Sequence, residues 1–426
     1  MKVVTAALCL LAIVAVPRWS GAQNLVVVNA RIVDGKGGVI ERGSVVVRDG
    51  KIVSVAAGAA ASIAGAQRID AQGLTLMPGF IDAHRHIVQG NGAEWLKTRA
   101  AAQLQEFLDA GFTTVLCAIC PVEGVEARQR VEAGTLQGPR LLMAQIIPLA
   151  RAGAPGGGGR GGDPARFDTS RGPLRPTQPA AEIPTGDTIK AVEAVASQRY
   201  DFIKTVITTT PNGPETRTLK LIVEEGKKRN LPTITHAVSV VDTLAAVEAR
   251  PAVLVHTPHI GQLQDAEVKT IVGAGIPMTS TLAVFVPHFG PDNVPLFRDA
   301  LPFPWETLSS AGQGPVNARL LWQAGLSYGY GTDTSWPPKE SLADELRALR
   351  VTFSPLDITK IMGQGAARAA LRPDTIGTLE PGKLADMVLI DGNPLADVND
   401  VLKVVTTIKG GRIVSDKRSA RAAARR

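Results

Sequence analysis

Short apolar runs with helix-length polar and mixed segments between them dominate the middle of the chain, and a different texture dominates its two ends. From Leu25 to Leu76, β-branched runs (Leu25 to Val28, Ser44 to Arg48, Ile52 to Val55) alternate with Asp34-Gly35 and Asp49-Gly50 turns, the signature of a meandering antiparallel sheet. The same texture returns at Ala385 to Ile390, Val401 to Ile408 and Arg412 to Val414, around Asp391-Gly392 and Gly410-Gly411. Between them the runs are continuous rather than alternating, as expected of strands buried on both faces of a parallel sheet. They are Leu76 to Ala83, Thr114 to Ala118, Arg140 to Ala144, Phe202 to Val206, Thr233 to His236, Val253 to His256, Pro277 to Thr281 and Leu326 to Thr332.

Eight such strands with helices between them predict an α/β protein, a closed (β/α)₈ barrel of the TIM type over residues 77–373. Residues 23–76 and 374–416 together predict a small β-sandwich assembled from both chain ends. An open doubly wound sheet is the alternative, but the first strand is not followed by a Gly-x-Gly-x-x-Gly fingerprint. Residues 151–185 break the rhythm, with eight Gly, six Pro and five Arg. This segment predicts a loop after the third strand, either a lid over the C-terminal face or an unstructured excursion.

Met1 to Ala22 reads as a signal peptide: Lys2 supplies the positive start, Val3 to Val16 the apolar run, and Ser20-Gly21-Ala22 the small residues of a cleavage site. The run is shorter than the roughly 20 residues that span a bilayer, so the expectation is export to the periplasm or medium without stable membrane insertion. The formal charge of +7 does not signal nucleic-acid binding. Lys2, Arg18 and five cations in the basic tail 417–426 (Lys417, Arg418, Arg421, Arg425, Arg426) account for all of it, leaving a balanced body. The composition of the whole 426-residue chain, 45% hydrophobic and 20% charged, is that of a globular protein with a sizeable core. After cleavage only Cys117 and Cys120 remain. Their spacing matches a redox pair, but they close an apolar strand, where buried structural thiols are expected.

Four of six histidines sit at predicted strand ends. His84 and His86 are two apart on the first strand and therefore face the same side. His236 ends the fifth strand, His256 the sixth, and Asp333 follows the eighth, all at the face where barrel enzymes carry their chemistry. Imidazoles with a carboxylate suit Zn²⁺ or a similar divalent ion with an open position for water, whose pKa such an ion lowers to about 7. Asp333 is then placed to take the proton of the nucleophile and return it to the leaving group. Lys204 lies inside the fourth run, where a buried cation needs a partner or a task. His259, His288, Tyr328 and Trp336 are candidate substrate contacts from the sixth to eighth strand loops, with a solvated loop position as the alternative for His259.

The strings Met77-Pro78-Gly79-Phe80-Ile81-Asp82-Ala83-His84-Arg85-His86 and Ile376-Gly377-Thr378-Leu379-Glu380-Pro381-Gly382-Lys383-Leu384-Ala385-Asp386, with the chain order His-x-His, Lys, His, His, Asp, resemble the amidohydrolase superfamily of metal-dependent hydrolases. The resemblance is greatest to its imidazolonepropionase-like and prolidase-like group and covers nearly the whole mature chain. It implies two divalent ions, most simply Zn²⁺: His84, His86 and Asp333 on one, His236 and His256 on the other, and a carboxylated Lys204 bridging them. It also implies hydrolysis of an amide C–N bond in a dipeptide-like or N-acyl amino acid substrate. The segment after Lys204, Thr208-Thr209-Thr210-Pro211-Asn212-Gly213, departs from the small Gly-Gly turn of such relatives. A lactone, a phosphotriester or a xenobiotic amide such as a mycotoxin on the same scaffold is the alternative substrate class. A mononuclear deaminase leaves Lys204 without a task, and a non-catalytic binding protein would lack some of the metal positions. The partner implied is a small molecule, and a homo-oligomer is compatible with the sequence.

Overall fold

The computed structural model describes residues 24–60, 63–151, 178–285, 308–335 and 337–424, together with two short ladders, Phe167–Asp168 with Arg175–Pro176 and His288–Phe289 with Pro295–Leu296. The predicted signal segment and most of the 151–185 loop lie outside the described residues. Among the described residues no helix is long and apolar enough to cross a membrane.

Eight parallel strands form one sheet: Phe80–Arg85, Phe112–Cys117, Arg140–Ile146, Phe202–Val206, Thr233–His236, Val253–Val255, Met278–Thr279 and Tyr328–Gly329. They are referred to below as the first to eighth barrel strands. The ladder runs in chain order, and the first and last strands meet through Ala83 N–H to the Tyr330 carbonyl at 3.1 Å and Thr332 N–H to the His84 carbonyl at 3.1 Å. Helices between the strands cover the outside. The 215–228 helix, for example, buries Leu219, Ile222 and Val223 on one face and ends in Lys227 and Lys228, cations that suit a helix C-terminus.

The second sheet is built from both ends of the chain. Leu25–Val33, Val39–Arg48, Lys51–Ala57, Gln67–Asp70 and Thr75–Pro78 join Met387–Ile390, Val404–Lys409 and Arg412–Asp416. The halves meet where Thr75–Pro78 pairs antiparallel with Met387–Ile390, Leu76 opposite Leu389. Leu25, Val27, Val45 and Ile52 share a core with Leu76, Met387, Leu389 and Ile408.

The run expected as a single first strand, Leu76 to Ala83, is two strands in two sheets. Pro78 offers no N–H to a ladder and marks the break. Gly79 follows it where a Cβ would lie 2.4 Å from the Thr113 hydroxyl, and its own N–H donates to the Asp386 carbonyl at 2.8 Å. A second close approach joins the sheets at a π-helical turn, Ile361–Gly365. A Cβ on Gly363 would meet the Gly35 carbonyl at 2.4 Å, and one on Gly365 the Tyr328 carbonyl at 2.0 Å. Only residues without a side chain let these backbones touch.

Candidate metal centre

The first strand is tied to the last from below. Asp82 is fully buried, and its carboxylate accepts from four donors: His84 N–H at 3.2 Å, Thr332 N–H at 3.1 Å, the Thr332 hydroxyl at 2.7 Å and Arg85 Nη1 at 3.2 Å. Arg85, 1% exposed, also reaches the Thr332 hydroxyl at 3.1 Å and the Ser341 hydroxyl at 3.2 Å, and lies 4.7 Å from the centre of the Phe107 ring. This buried network fixes the backbone on which His84, His86 and Asp333 stand; Asp333 N–H itself donates to the His84 carbonyl at 2.7 Å.

Above it the predicted residues come together. Asp333 Oδ1 lies 2.9 Å from His86 Nε2 and 3.2 Å from His84 Nε2, and its Oδ2 lies 3.9 Å from His256 Nε2. Lys204 Nζ is 3.3 Å from His84 Nε2. The His84 and His256 rings are 5.2 Å apart and the His236 and His256 rings 4.3 Å, both edge to face. Ligand atoms of His84, His256 and Asp333 all fall within 4.8 Å of one another. Alternation along the strands accounts for the convergence: His84, Lys204 and His236 project inward from strands whose neighbouring residues face the helices.

Two of the site residues follow their strands in left-handed backbone, His256 at φ 78° and Asp333 at φ 53°, and Thr281 joins them at φ 44°. Such conformations are costly for residues with a Cβ and gather at functional sites. Thr281 also touches the site directly, its hydroxyl lying 2.6 Å from His256 Nδ1. That bond turns Nε2 toward Asp333, the device by which ligating histidines are oriented and their tautomer set.

The electrostatics suit cation binding. Burial, aided by the nearby Lys204, pushes His84 down to about 3, and burial does the same to His236. Burial also drives His256 well below the usual histidine range, so these three rings are neutral with lone pairs available. For His86 burial again opposes protonation, but the hydrogen bond and charge of Asp333 outweigh it and leave its pKa raised. Burial alone would raise the Asp333 carboxyl; its hydrogen bonds with His84 and His86 hold it well below the carboxylate range and keep it ionised. Lys204, 2% exposed, is pushed down to about 7 by burial, with Asp333 the opposing influence. Neutral imidazoles around one carboxylate form a donor set that fits a divalent transition ion.

Two of the other candidates, Tyr328 and His259, are buried in the protein interior. Tyr328 is fully buried, packs 5.6 Å from Phe353 and hydrogen-bonds the Thr257 hydroxyl, so it is placed in the wall of the barrel rather than at its mouth. His259 is also fully buried, its backbone N–H on the Val238 carbonyl at 2.9 Å, and burial pushes its ring down to about 3; it is a core residue, not a solvated loop histidine. His288 is described only in backbone, within its short ladder, and Trp336 lies outside the described residues. Cys117 and Cys120 are buried free thiols, as expected.

The amidohydrolase family model matches residues 75–414, most of the chain. The chain belongs to the amidohydrolase family. Among its relatives are an imidazolonepropionase of Salinispora arenicola, 25% identical over 86% of this chain and 90% of that one, and a 5-methylthioadenosine/S-adenosylhomocysteine deaminase of Symbiobacterium thermophilum, 26% identical over 89% and 90%. A putative prolidase from Bifidobacterium longum has the same fold, with a TM-score of 0.72 at 21% identity over 95% of this chain and 98% of that one. This amidohydrolase is therefore an enzyme of a hydrolase family that acts on C–N bonds. Its barrel and its sheet of chain ends are the family's arrangement.

Proposed function

We propose that this amidohydrolase cleaves the amide bond of a dipeptide-like or N-acyl amino acid substrate with two divalent ions, most simply zinc, held by His84, His86, Lys204, His236, His256 and Asp333. The observation that carries the reading is the buried Lys204 amine, 3.3 Å from His84 Nε2 and facing a cluster of neutral imidazoles. A deaminase built on one ion gives that amine nothing to do. Carboxylated by CO₂, it becomes an anion between the histidine pair of the first strand and the pair His236 and His256. Such ions supply Lewis-acid activation of water and of the scissile carbonyl.

The chain's own residues do the remaining work. Asp333, ionised and held by His84 and His86, accepts the proton of the attacking water at a carboxylate oxygen and passes it to the departing nitrogen. His86, a third exposed, is the most open of the site histidines and stands on the side from which substrate enters. The buried Asp82–Arg85–Thr332 network beneath closes the reverse face of the site. The relatives' names support C–N chemistry and differ in substrate, so the amide class rests on the prolidase-like fold and on Lys204. The reading includes export to the periplasm or medium, which the charged start, apolar run and small residues of Met1 to Ala22 support.

A mass-spectrometric screen of the zinc-reconstituted protein against dipeptides, N-acyl amino acids, lactones, phosphotriesters and aminopurine nucleosides tests this reading, with Asp333→Asn as the blank. Cleavage confined to amides and absent from the blank is expected. Turnover of only esters, phosphotriesters or the nucleosides overturns the substrate class, and Lys204→Ala retaining two zinc ions per chain overturns the bridging role.

A further inference from the structure

The seventh barrel strand is only Met278–Thr279, and the chain leaves it through Ser280 and Thr281 into a short helix, Leu282–Phe285. Thr281 is left-handed at this point, a conformation that a β-branched residue keeps only when its surroundings impose it. The constraint comes from both sides. Thr281 N–H donates to the Gly331 carbonyl at 3.0 Å, on the strand that carries Asp333. The next two amides, Leu282 N–H and Ala283 N–H, donate to the two carboxylate oxygens of Glu345 at 3.0 and 2.8 Å.

Glu345 is 0% exposed and reaches in from the Pro338–Leu349 helix that follows the eighth strand. It forms no ion pair among the described residues; its hydrogen bonds come from backbone amides and Ser280, and the Asp344 carboxylate and the Tyr328 and Tyr330 hydroxyls lie near it. A carboxylate is expensive to bury in this way. Two amides in register with two oxygens define the direction of the backbone that follows Thr281, and hence where the Thr281 hydroxyl stands, 2.6 Å from His256 Nδ1.

We infer that Glu345 and Thr281 form a positioning pair for His256: Glu345 clamps the turn, and the Thr281 hydroxyl oxygen accepts the hydrogen bond donated by His256 Nδ1–H, so that Nε2 presents its lone pair to the ion. Neither residue touches substrate or ion; both act through the imidazole. The inference rests on the metal-dependent reading of the same site for its consequence, but the tautomer it requires exists without any ion.

Two measurements on the full-length protein separate these levels. In zinc-free protein labelled with ¹⁵N-histidine, the His256 ring should be a single Nδ1–H tautomer in wild type and in Thr281→Ser. It should be a mixture or the Nε2–H form in Thr281→Val and in Glu345→Gln. Zinc affinity measured against a chromogenic chelator should fall roughly 10–100-fold for one ion in Thr281→Val and Glu345→Gln, the loss typical of an outer-shell partner, and recover in Thr281→Ser. If Glu345→Gln does not fold, the Thr281 pair of variants decides alone. A wild-type His256 already in the Nε2–H form, or a Thr281→Val ring unchanged from wild type, overturns the inference. A correct tautomer series in a protein that takes up no zinc supports the positioning pair and overturns the metal-dependent reading instead.

Discussion

Replacing Asp82 by Asn keeps the shape of the side chain and removes the acceptor on which the barrel closure depends. All four groups that point at the Asp82 carboxylate are donors: two backbone amides, the Thr332 hydroxyl and the Arg85 guanidinium. Asn offers one oxygen and turns an NH₂ into that set, and it removes the negative charge that Asp82 sets against the 1%-exposed Arg85. Breaking a buried ion pair from one side costs about 3–5 kcal/mol. At roughly 2 °C per kcal/mol, the low end suited to a large chain, the melting midpoint should fall by about 6–10 °C. The assay is thermal unfolding of chelator-treated protein, since a bound ion would stabilise the variant and mask the loss. The double variant Asp82→Asn/Arg85→Met removes both partners and puts an apolar side chain beside Phe107, so it should recover most of the midpoint, because a buried pair replaced as a whole is close to neutral. An unchanged midpoint in the single variant, or losses that simply add in the double, would refute the reasoning.

Burial raises the Glu345 carboxyl to about 7, so the folded protein holds that proton more tightly than the unfolded chain does. Its contribution to stability is complete below about pH 4.5 and is lost as pH rises to about 7, by about 3 kcal/mol at 1.36 kcal/mol per unit. Urea midpoints of zinc-free protein should therefore decline over this window, and Glu345→Gln should flatten the decline; equal slopes would show that the carboxyl is not titrating there. Tyr328→Phe deletes a hydrogen bond to Thr257 inside the barrel wall and should lower stability by about 1 kcal/mol while leaving KM unchanged. A tenfold rise in KM would return Tyr328 to the substrate site.

The candidate metal cluster was legible because period-two alternation and the strand-end position are properties of the sequence itself. His84-Arg85-His86, Lys204 inside an apolar run, and single histidines closing the next two runs need only the assumption of a barrel to converge. The supporting residues were not legible in that way. Thr281 and Glu345 are 64 positions apart in the chain, and what joins them is a left-handed turn that no local pattern announces. Asp82 stood within the recognised string, yet its partner Thr332 is brought to it only by closure of the sheet. Tyr328 and His259 are candidates by their proximity to strand ends, and the fold buries both completely, which no local pattern announces. The division of Leu76 to Ala83 between two sheets did carry a signal in Pro78-Gly79.

The pairing of Thr75–Pro78 with Met387–Ile390 sets a clock on the birth of the protein. These segments are separated by roughly 300 residues, which at about 5–20 residues per second take a ribosome about 15–60 s to add. Throughout that interval Thr75–Pro78 has an open edge, and such an edge is a template for pairing with other chains. The first barrel strand leaves this segment directly through Gly79, so His84 near its end and His86 just past it are moored at their upstream end only when the last part of the chain has arrived. Any chain that stops short of Met387 is thus born with a bare strand beside its candidate metal ligands, and its fate is a matter for whatever holds or destroys unfinished proteins.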